Sequence, residues 1–201
     1  MAVYKLTTPI SGEAVRKLSI GDIVYVSGDV VTARDQAHRR ALTYAKEGKA
    51  LPVKFEGIVV FHCGPVARKK NGEWEFLAAG PTTSARMDAV TYEFIEAFKP
   101  KIIVGKGGMG VKTTEAAKKF EAVYGDFTGG AGVLAAKAVK RVKGVEWLDL
   151  GMPEALWILE VENFGPLTIA IDSKGNNLHQ NVAKKVEESK AKVYKMLGIS
   201  T

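Results

Sequence analysis

The sequence alternates between short apolar runs and amphipathic runs with helical spacing, and this alternation limits the chain to a small set of folds. Short apolar runs bounded by glycine or proline are typical of buried strands, whereas apolar residues at every third or fourth position indicate one face of a helix. The apolar runs occupy residues 23–26, 57–62 and 101–104, and helical patterns occupy residues 32–46, 86–98 and 114–123. The alternation predicts an α/β fold in which helices flank a mixed sheet.

We expect one domain over residues 1–201, because the sequence contains no internal repeat and no low-complexity linker. Further strands are predicted at residues 74–79, 145–150, 155–161 and 167–171, and further helices at residues 13–18, 133–142 and 181–197. A polar hairpin turn at residues 68–72 leads into the first of those strands. Turns at residues 28–29 and 124–126 are expected to end the strand and the helix that precede them.

Composition is that of a globular protein of a reducing compartment. The chain is 46% hydrophobic and 25% charged, and no apolar run approaches the roughly 20 residues of a membrane span. Residues 1–10 lack the charged and apolar pattern of a signal peptide. The one cysteine, Cys63, excludes an internal disulfide and a cluster ligated by several thiolates of this chain. We therefore expect a cytoplasmic protein.

The formal net charge of +7 suits nucleic acid, an acidic partner surface or small anionic ligands. Proteins that bind single-stranded nucleic acid interleave aromatic residues with a basic groove. This sequence has no such pattern, so we expect no nucleic-acid partner. Small anions remain the ligands that the charge favours.

Residues 105–110 form a glycine-rich loop between an apolar run and a helical pattern. Its spacing matches G-x-G-x-x-G, so a stand-alone dinucleotide-binding protein is one alternative. The acidic residue that such proteins carry about 20 positions further on is missing. Lys112 also comes one residue too late for a nucleoside triphosphate loop. The other alternative is that the bare glycine backbone lets a ligand come close, with Lys106 directed at it.

Residues 80–88, GPTTSARMD, join the extended run 74–79 to the helical pattern 86–98. Pro81 cannot continue a strand, because it lacks a backbone N–H. The hydroxyls that follow it are expected to cap the first turn of the helix. Arg86 would lie in that turn, where the helix dipole disfavours a cation. An arginine beside free N–H groups and hydroxyls suits the binding of an anion.

Arg34, Arg86 and Lys106 each come after an extended stretch. Thr32 and Asp35 have the spacing of a capping box, which would place Arg34 in the first turn of a helix. Ligands of open α/β sheets bind beyond the carboxyl ends of the strands. Three cations gathered there predict a site for a small dicarboxylate. No carboxylate–histidine pair and no metal-ligand spacing accompanies them, so we expect half of a site.

Four segments of the sequence, at residues 33–38 (ARDQAH), 80–88 (GPTTSARMD), 105–109 (GKGGM) and 151–157 (GMPEALW), occur in the same order in one known family. The chain resembles the β subunit of class I, iron–sulfur fumarate hydratases and of the related L-tartrate dehydratases. In single-chain members this region is the C-terminal domain. The resemblance implies a swivelling β/β/α domain and the reversible hydration of fumarate to (S)-malate. It also implies a hetero-oligomer, in which a partner α subunit carries a [4Fe–4S] cluster whose open iron acts as a Lewis acid.

The resemblance also implies roles for individual residues and no metal ligand in this chain. Thr82 matches the threonine proposed to take the C3 proton, assisted by an aspartate of the α subunit. Arg34, Thr83, Arg86 and Lys106 match residues that bind the substrate's carboxylates or line their pocket. A free hydroxyl is a weak base, so the partner's aspartate is an alternative proton acceptor. Fumarate, tartrate and mesaconate each present two carboxylates, and the sequence does not choose among them.

Four further residues have structural interpretations. His38 follows Arg34 by one helical turn and is expected to orient that side chain or to pack in the core. His62 and Cys63 end a buried strand, where a lone cysteine is usually inert. Trp157 begins an apolar strand and is predicted to lie in the core.

Overall fold

The computed structural model of the chain describes residues 1–199, and at residue 191 the backbone only. The elements, in chain order, are β1 (Val3–Thr7), α1 (Gly12–Lys17), β2 (Ile23–Thr32), α2 (Asp35–Lys46), β3 (Val59–Phe61), β4 (Val66–Lys70), β5 (Glu73–Ala78), α3 (Asp88–Phe98), β6 (Ile102–Gly105), α4 (Val111–Phe120), β7 (Val123–Asp126), α5 (Gly132–Ala138), β8 (Val139–Glu146), β9 (Leu156–Ile171) and α6 (Leu178–Met196). Single 3-10 turns lie at Ser84–Met87 and Leu148–Leu150. Among the described residues, no helix combines the length and apolar character that crossing a membrane requires.

One sheet contains seven strands in the order β1-β2-β3-β6-β7-β9-β8. The first five run parallel to one another, whereas β9 runs antiparallel to β7 and β8. β9 also pairs with β2, so the ladder β2-β3-β6-β7-β9 returns to β2 and closes into a ring. β4 and β5 form a separate antiparallel hairpin. The predicted α/β fold with a mixed sheet flanked by helices is confirmed.

Two apolar clusters cover the two faces of the sheet. In β6, Ile102 and Val104 belong to the cluster inside the ring, and Ile103 belongs to the cluster beneath α2, α3 and α4. Successive side chains of a strand point to opposite faces, so a strand covered on both sides needs a continuous apolar run. This is why the predicted strand at 101–104 is confirmed with only a small change of bounds. Trp157 is fully buried in the inner cluster, as predicted.

The predicted helix at residues 133–142 is wrong in its second half. α5 ends at Ala138, and β8 continues as a strand that pairs with β9. Val139, Val142 and Val145 have helical spacing in the sequence, yet all three pack against the inner cluster. Two register irregularities in β8 allow this, because each inserts a residue and returns the next valine to the same face.

Four other boundaries also differ from the predictions. The strand predicted at residues 145–150 is wrong in its second half, because β8 ends at Glu146 and Leu148–Leu150 form a 3-10 turn. β2 does not end at residues 28–29, because Gly28 adopts a positive φ of 98° and the strand continues to Thr32. Residues 123–126 form β7, since backbone pairing with β6 and β9 holds Tyr124 and Gly125 extended. β9 runs through the predicted break between its two halves. Phe164, in that break, is buried against Phe61 and Phe127, with ring centroids 5.0 and 5.5 Å away.

His38, in α2, and His62, directly after β3, are buried histidines. Both are fully inaccessible to solvent, and their rings meet edge to face at 5.1 Å. Nδ1 of His38 lies 2.9 Å from the backbone carbonyl of Arg34, so the histidine contacts the arginine's main chain rather than its guanidinium. Burial lowers the pKa of His38 to about 4 and lowers the pKa of His62 well below its usual range.

These pKa shifts predict that acid destabilises the fold. An unfolded histidine titrates near pH 6.5, so below that pH the unfolded chain binds protons that the folded chain does not. The stability is present above pH 6.5 and is lost as the pH falls toward 4. Urea unfolding at pH 7 and pH 5 should show a loss of about 2 kcal/mol from His38, and His38→Leu should remove that part of the loss.

The matched control is Phe94→Leu, which alters a ring 4.4 Å from His38 without changing a titrating group. It should lower the free energy of unfolding by the same amount at both pH values. If His38→Leu keeps the full pH dependence of the wild type, the interpretation of His38 as a neutral core histidine is wrong.

Candidate functional site

Two of the predicted site residues follow strands whose carboxyl ends meet at one side of the sheet, and the others follow β5 of the separate hairpin. Because β2, β3, β6 and β7 are parallel neighbours, their ends lie side by side. We call this region, together with the loop of residues 80–87, the strand-end edge. Arg34 follows β2, His62 follows β3 and Lys106 follows β6.

The loop of residues 80–87 is fixed between the ends of β3 and β6 by backbone hydrogen bonds. The N–H of Thr82 donates to the carbonyl of His62 at 2.6 Å, and the N–H of Ser84 donates to the carbonyl of Lys106 at 3.0 Å. Thr83 and Lys106 form a parallel bridge. The structure therefore brings Thr82, Thr83 and Lys106 together, although they come from segments about 20 residues apart.

Arg86 and Arg34 reach the same edge through two carboxylates. Nη2 of Arg86 donates to Oδ2 of Asp35 at 2.9 Å, and Asp35 directly follows Arg34 in the chain. Nε of Arg34 lies 3.1 Å from Oε1 of Glu154 in an ion pair. That N–H has no hydrogen-bond partner among the described atoms, so charge and not alignment holds the pair. Arg86 keeps 49% of its side chain exposed, against 22% for Arg34.

Arg86 does not lie in the first turn of α3, where the sequence predicted it. The residue lies in the 3-10 turn before α3, whose first turn begins with Asp88, an acid that suits the helix dipole. Asp35 balances the guanidinium, so Arg86 does not stand unpaired against the dipole. The prediction that Thr82, Thr83 or Ser84 caps the helix is wrong, because the N-cap positions here make no side-chain hydrogen bond.

The capping box predicted at Thr32 and Asp35 is also wrong. Arg34 is the N-cap residue of α2 and makes no side-chain cap. Thr32 ends β2, where its hydroxyl oxygen accepts a hydrogen bond from the N–H of Trp157 at 3.1 Å. The hydroxyl thus connects β2 to β9 instead of capping the helix. A capping-box spacing in the sequence does not show whether the hydroxyl has such a distant partner.

The glycine-rich loop fits a small ligand better than a dinucleotide. A dinucleotide would place its pyrophosphate at the N-terminus of α4. Oδ1 of Asp88 already accepts hydrogen bonds there from the N–H of Gly110 at 2.8 Å and from Oγ1 of Thr113 at 2.6 Å. Because an internal carboxylate occupies this position, the dinucleotide alternative loses its main support. Lys106 lies alongside Gly129, where a Cβ would be 3.4 Å from its Cδ.

One pair at this edge was missed in the sequence. Nε2 of His179, near the start of α6, is within hydrogen-bond distance of Oδ2 of Asp126, at the end of β7. The ring also lies against Gly108, where a Cβ would be 2.7 Å from it. The expectation that no carboxylate–histidine pair accompanies the cations is therefore wrong. The partners are 53 residues apart, and only the folded chain joins them.

Cys63 is buried and carries no sign of reactivity. Burial raises the pKa of its thiol far above the usual range, so it stays protonated. Its backbone forms an isolated antiparallel β-bridge with Pro81, which helps to fix the loop of residues 80–87. Among the described residues, no group of three or more histidine, cysteine, aspartate or glutamate side chains could hold a metal ion.

The strand-end edge thus offers two arginines, a lysine and two threonine hydroxyls on an open surface. Thr83 and Arg86 are exposed, and Thr82, Arg34 and Lys106 are partly buried. A hollow of about 370 Å³ lies elsewhere, between β5 and α5, so the edge is not built around that cavity. Such a surface can bind a small dianion through charge-assisted hydrogen bonds.

Comparison with known sequences identifies the family of the chain. Residues 2–182 match the family described as Fumarase C-terminus. The chain is 45% identical over 173 residues to the L(+)-tartrate dehydratase subunit beta of Escherichia coli K12, covering 86% of this chain and 85% of that protein. It is 45% identical over 186 residues to a putative L(+)-tartrate dehydratase subunit beta of Methanocaldococcus jannaschii. The match covers 92% of this chain and 94% of that protein.

A third relative is a putative fumarate hydratase class I of Geobacillus stearothermophilus. The identity is 40% over 183 residues, which cover 90% of this chain and 34% of that protein. This coverage agrees with the expected resemblance to one part of a longer hydratase. The family match spans the strands and loops that form the strand-end edge. The chain therefore belongs to the fumarase C-terminus family.

Proposed function

We propose that this chain is the β subunit of a hydro-lyase that adds water to, or removes it from, a small dicarboxylate. The observation that carries the proposal is the meeting of Arg34, Thr82, Arg86 and Lys106 at one edge of the sheet. The relatives named as tartrate dehydratase and fumarate hydratase support the reaction class. The reaction proposed is the reversible hydration of fumarate to (S)-malate. The tartrate dehydratase names favour L-tartrate as the second candidate substrate.

In this proposal the cations bind the substrate's two carboxylates. Arg86 uses Nη2 for Asp35, so its remaining N–H donors can face a ligand. Lys106 adds a point charge from the neighbouring loop, and Thr83 adds a hydroxyl next to it. Two carboxylates that bind at separate cations are fixed in position and orientation relative to Thr82.

Thr82 is proposed as the base that takes the C3 proton. A threonine hydroxyl needs activation at neutral pH, and the field of Arg86 and Lys106 favours its ionised form. His62 cannot activate it, because its ring is buried and its Nδ1 contacts Ser84. The activating group is therefore expected from outside this chain. In the alternative, that group takes the proton itself and Thr82 only binds the substrate.

A companion α subunit is proposed to hold the [4Fe–4S] cluster of the family. The described residues of this chain do not fit such a group, since the sequence offers one thiol, which is buried and protonated. We therefore assign no step of the chemistry to iron bound by this chain. The relatives named "subunit beta" support a hetero-oligomer.

The first test replaces Arg86 in the enzyme purified with its natural companion under anaerobic conditions. Arg86→Ala should lower kcat/KM for the preferred diacid about 10- to 100-fold, because charge-assisted hydrogen bonds to the substrate are lost. The free energy of unfolding should change by less than about 1 kcal/mol, since the pair with Asp35 is half-exposed. Assays would cover fumarate, (S)-malate, L-tartrate and mesaconate.

Arg68→Ala is the matched control. Arg68 is also about half-exposed and also donates to a carboxylate, Oε2 of Glu75 at 3.0 Å, but it lies on the β4–β5 hairpin. Its removal should leave the kinetics unchanged. Equal kinetic losses in both variants, or activity on none of the four diacids in the wild type, would contradict the proposed function.

The second test separates the two roles of Thr82. If Thr82 is the base, Thr82→Val should lower kcat by about 10²- to 10⁴-fold, whereas Thr82→Ser should retain most of the activity. A rise in KM with little change in kcat would mean that the hydroxyl only binds the substrate. Steady-state kinetics of both variants in the two-subunit enzyme provide the measurement.

A further inference from the structure

Ser84 is the buried hydroxyl of the loop at residues 80–87. It is fully inaccessible to solvent, while its neighbour Thr83 is exposed. Oγ of Ser84 lies 2.8 Å from Nδ1 of His62, which is also fully buried. Gly105 packs directly on this pair, because a Cβ there would be 3.2 Å from Cβ of Ser84 and 3.3 Å from Cβ of His62.

The Ser84–His62 pair joins the two segments that carry the proposed site. The carbonyl of His62 accepts the N–H of Thr82 at 2.6 Å, and the N–H of Ser84 donates to the carbonyl of Lys106 at 3.0 Å. The side chains of the pair therefore connect the residue that holds Thr82 to the residue that holds Lys106. A shift at either end would change the distance between hydroxyl and ammonium.

Other buried side chains surround the pair. Burial together with the Asp126 carboxylate raises the pKa of Tyr124, so its hydroxyl stays protonated, and it makes no hydrogen bond among the described atoms. Asp126 in turn pairs with His179. On the other side, the ring of His62 meets the ring of His38, itself packed on Phe94 at 4.4 Å.

We propose that Ser84 and His62 are positioning residues that hold Thr82 and Lys106 at a fixed separation for the reaction. The proposal rests on the proposed function, because it concerns the same site. Neither side chain reaches solvent at the strand-end edge, so neither is assigned contact with the substrate. Their effect passes through the backbone bonds of the loop to the groups that do contact it.

The kinetic test is Ser84→Ala in the two-subunit enzyme. The variant should lower kcat by about 10- to 100-fold with a smaller change in KM, since the carboxylate-binding cations remain. His62→Leu should reproduce the loss, and His62→Asn, which keeps a nitrogen near Ser84, should restore part of the activity. Thr91→Val is the matched control. Its buried hydroxyl donates at 2.8 Å to the carbonyl of Met87, the last residue of the loop, and makes no hydrogen bond to Ser84 or His62.

A double variant separates positioning from general loss of structure. If Ser84 acts through Thr82, then Ser84→Ala should cost little further kcat once Thr82→Val is present. If the kcat losses of the two single variants multiply in the double variant, the proposal is wrong. It is also wrong if Thr91→Val loses as much kcat as Ser84→Ala. Both outcomes count against it while the wild type is active.

Amide hydrogen exchange gives a readout that needs no activity. Ser84→Ala should speed exchange of the N–H groups of Thr82 and Ser84 at least 10-fold, with Thr91→Val leaving both unchanged. Unchanged exchange at these amides would also overturn the proposal. A wild type inactive on every diacid, with exchange behaving as expected, would instead contradict the proposed function while the ordering of the loop stands.

Discussion

Parallel pairing of β2, β3 and β6 is the constraint on which the candidate site depends. The parallel register, in which Val31 lies opposite Val60 and Val60 lies opposite Ile103, keeps three strand ends side by side, so that residues far apart in sequence follow them onto one surface. β9 secures this arrangement, because it pairs with both β7 and β2 and closes the ladder. Slippage of one strand by one residue would exchange the side chains that face the two clusters and would also move its site residue.

The two arginines illustrate how the site is charged without being unstable. Asp35 and Glu154 each balance the positive charge of one guanidinium, so the two arginines do not lie at the edge as unpaired cations. A dianion that arrives does not have to displace these carboxylates, since a guanidinium has five N–H donors. The carboxylates of Asp35 and Glu154 also fix the direction of each arginine side chain before a ligand binds. The side chains therefore lose less conformational entropy on binding.

The sequence predicted the fold class, and the position of the candidate site residues at one edge, better than it predicted element boundaries. Continuous apolar runs such as residues 101–104 are decisive, because a strand buried on both faces leaves few alternatives. The first half of β8 was mistaken for a helix, since its irregular register turns helical valine spacing into one strand face. The reason for noticing Arg86 was also wrong, although the residue does lie at the edge. The contacts of Ser84 with His62 and of His179 with Asp126 could not be predicted from the sequence, because both depend on tertiary packing.

The strand-end edge is better equipped to bind than to move a proton. His62 is buried, and its pKa is lowered well below the usual range, mainly by burial and further by Arg86, so it is neither accessible nor basic. His179 is engaged by Asp126, and Asp35 and Glu154 are engaged by the arginines. Within the described residues, the groups able to accept a proton near Thr82 are thus already committed to other partners. An open face with cations and an unactivated hydroxyl supports the proposal that a second subunit completes the site and brings the group that activates Thr82 or takes the proton itself.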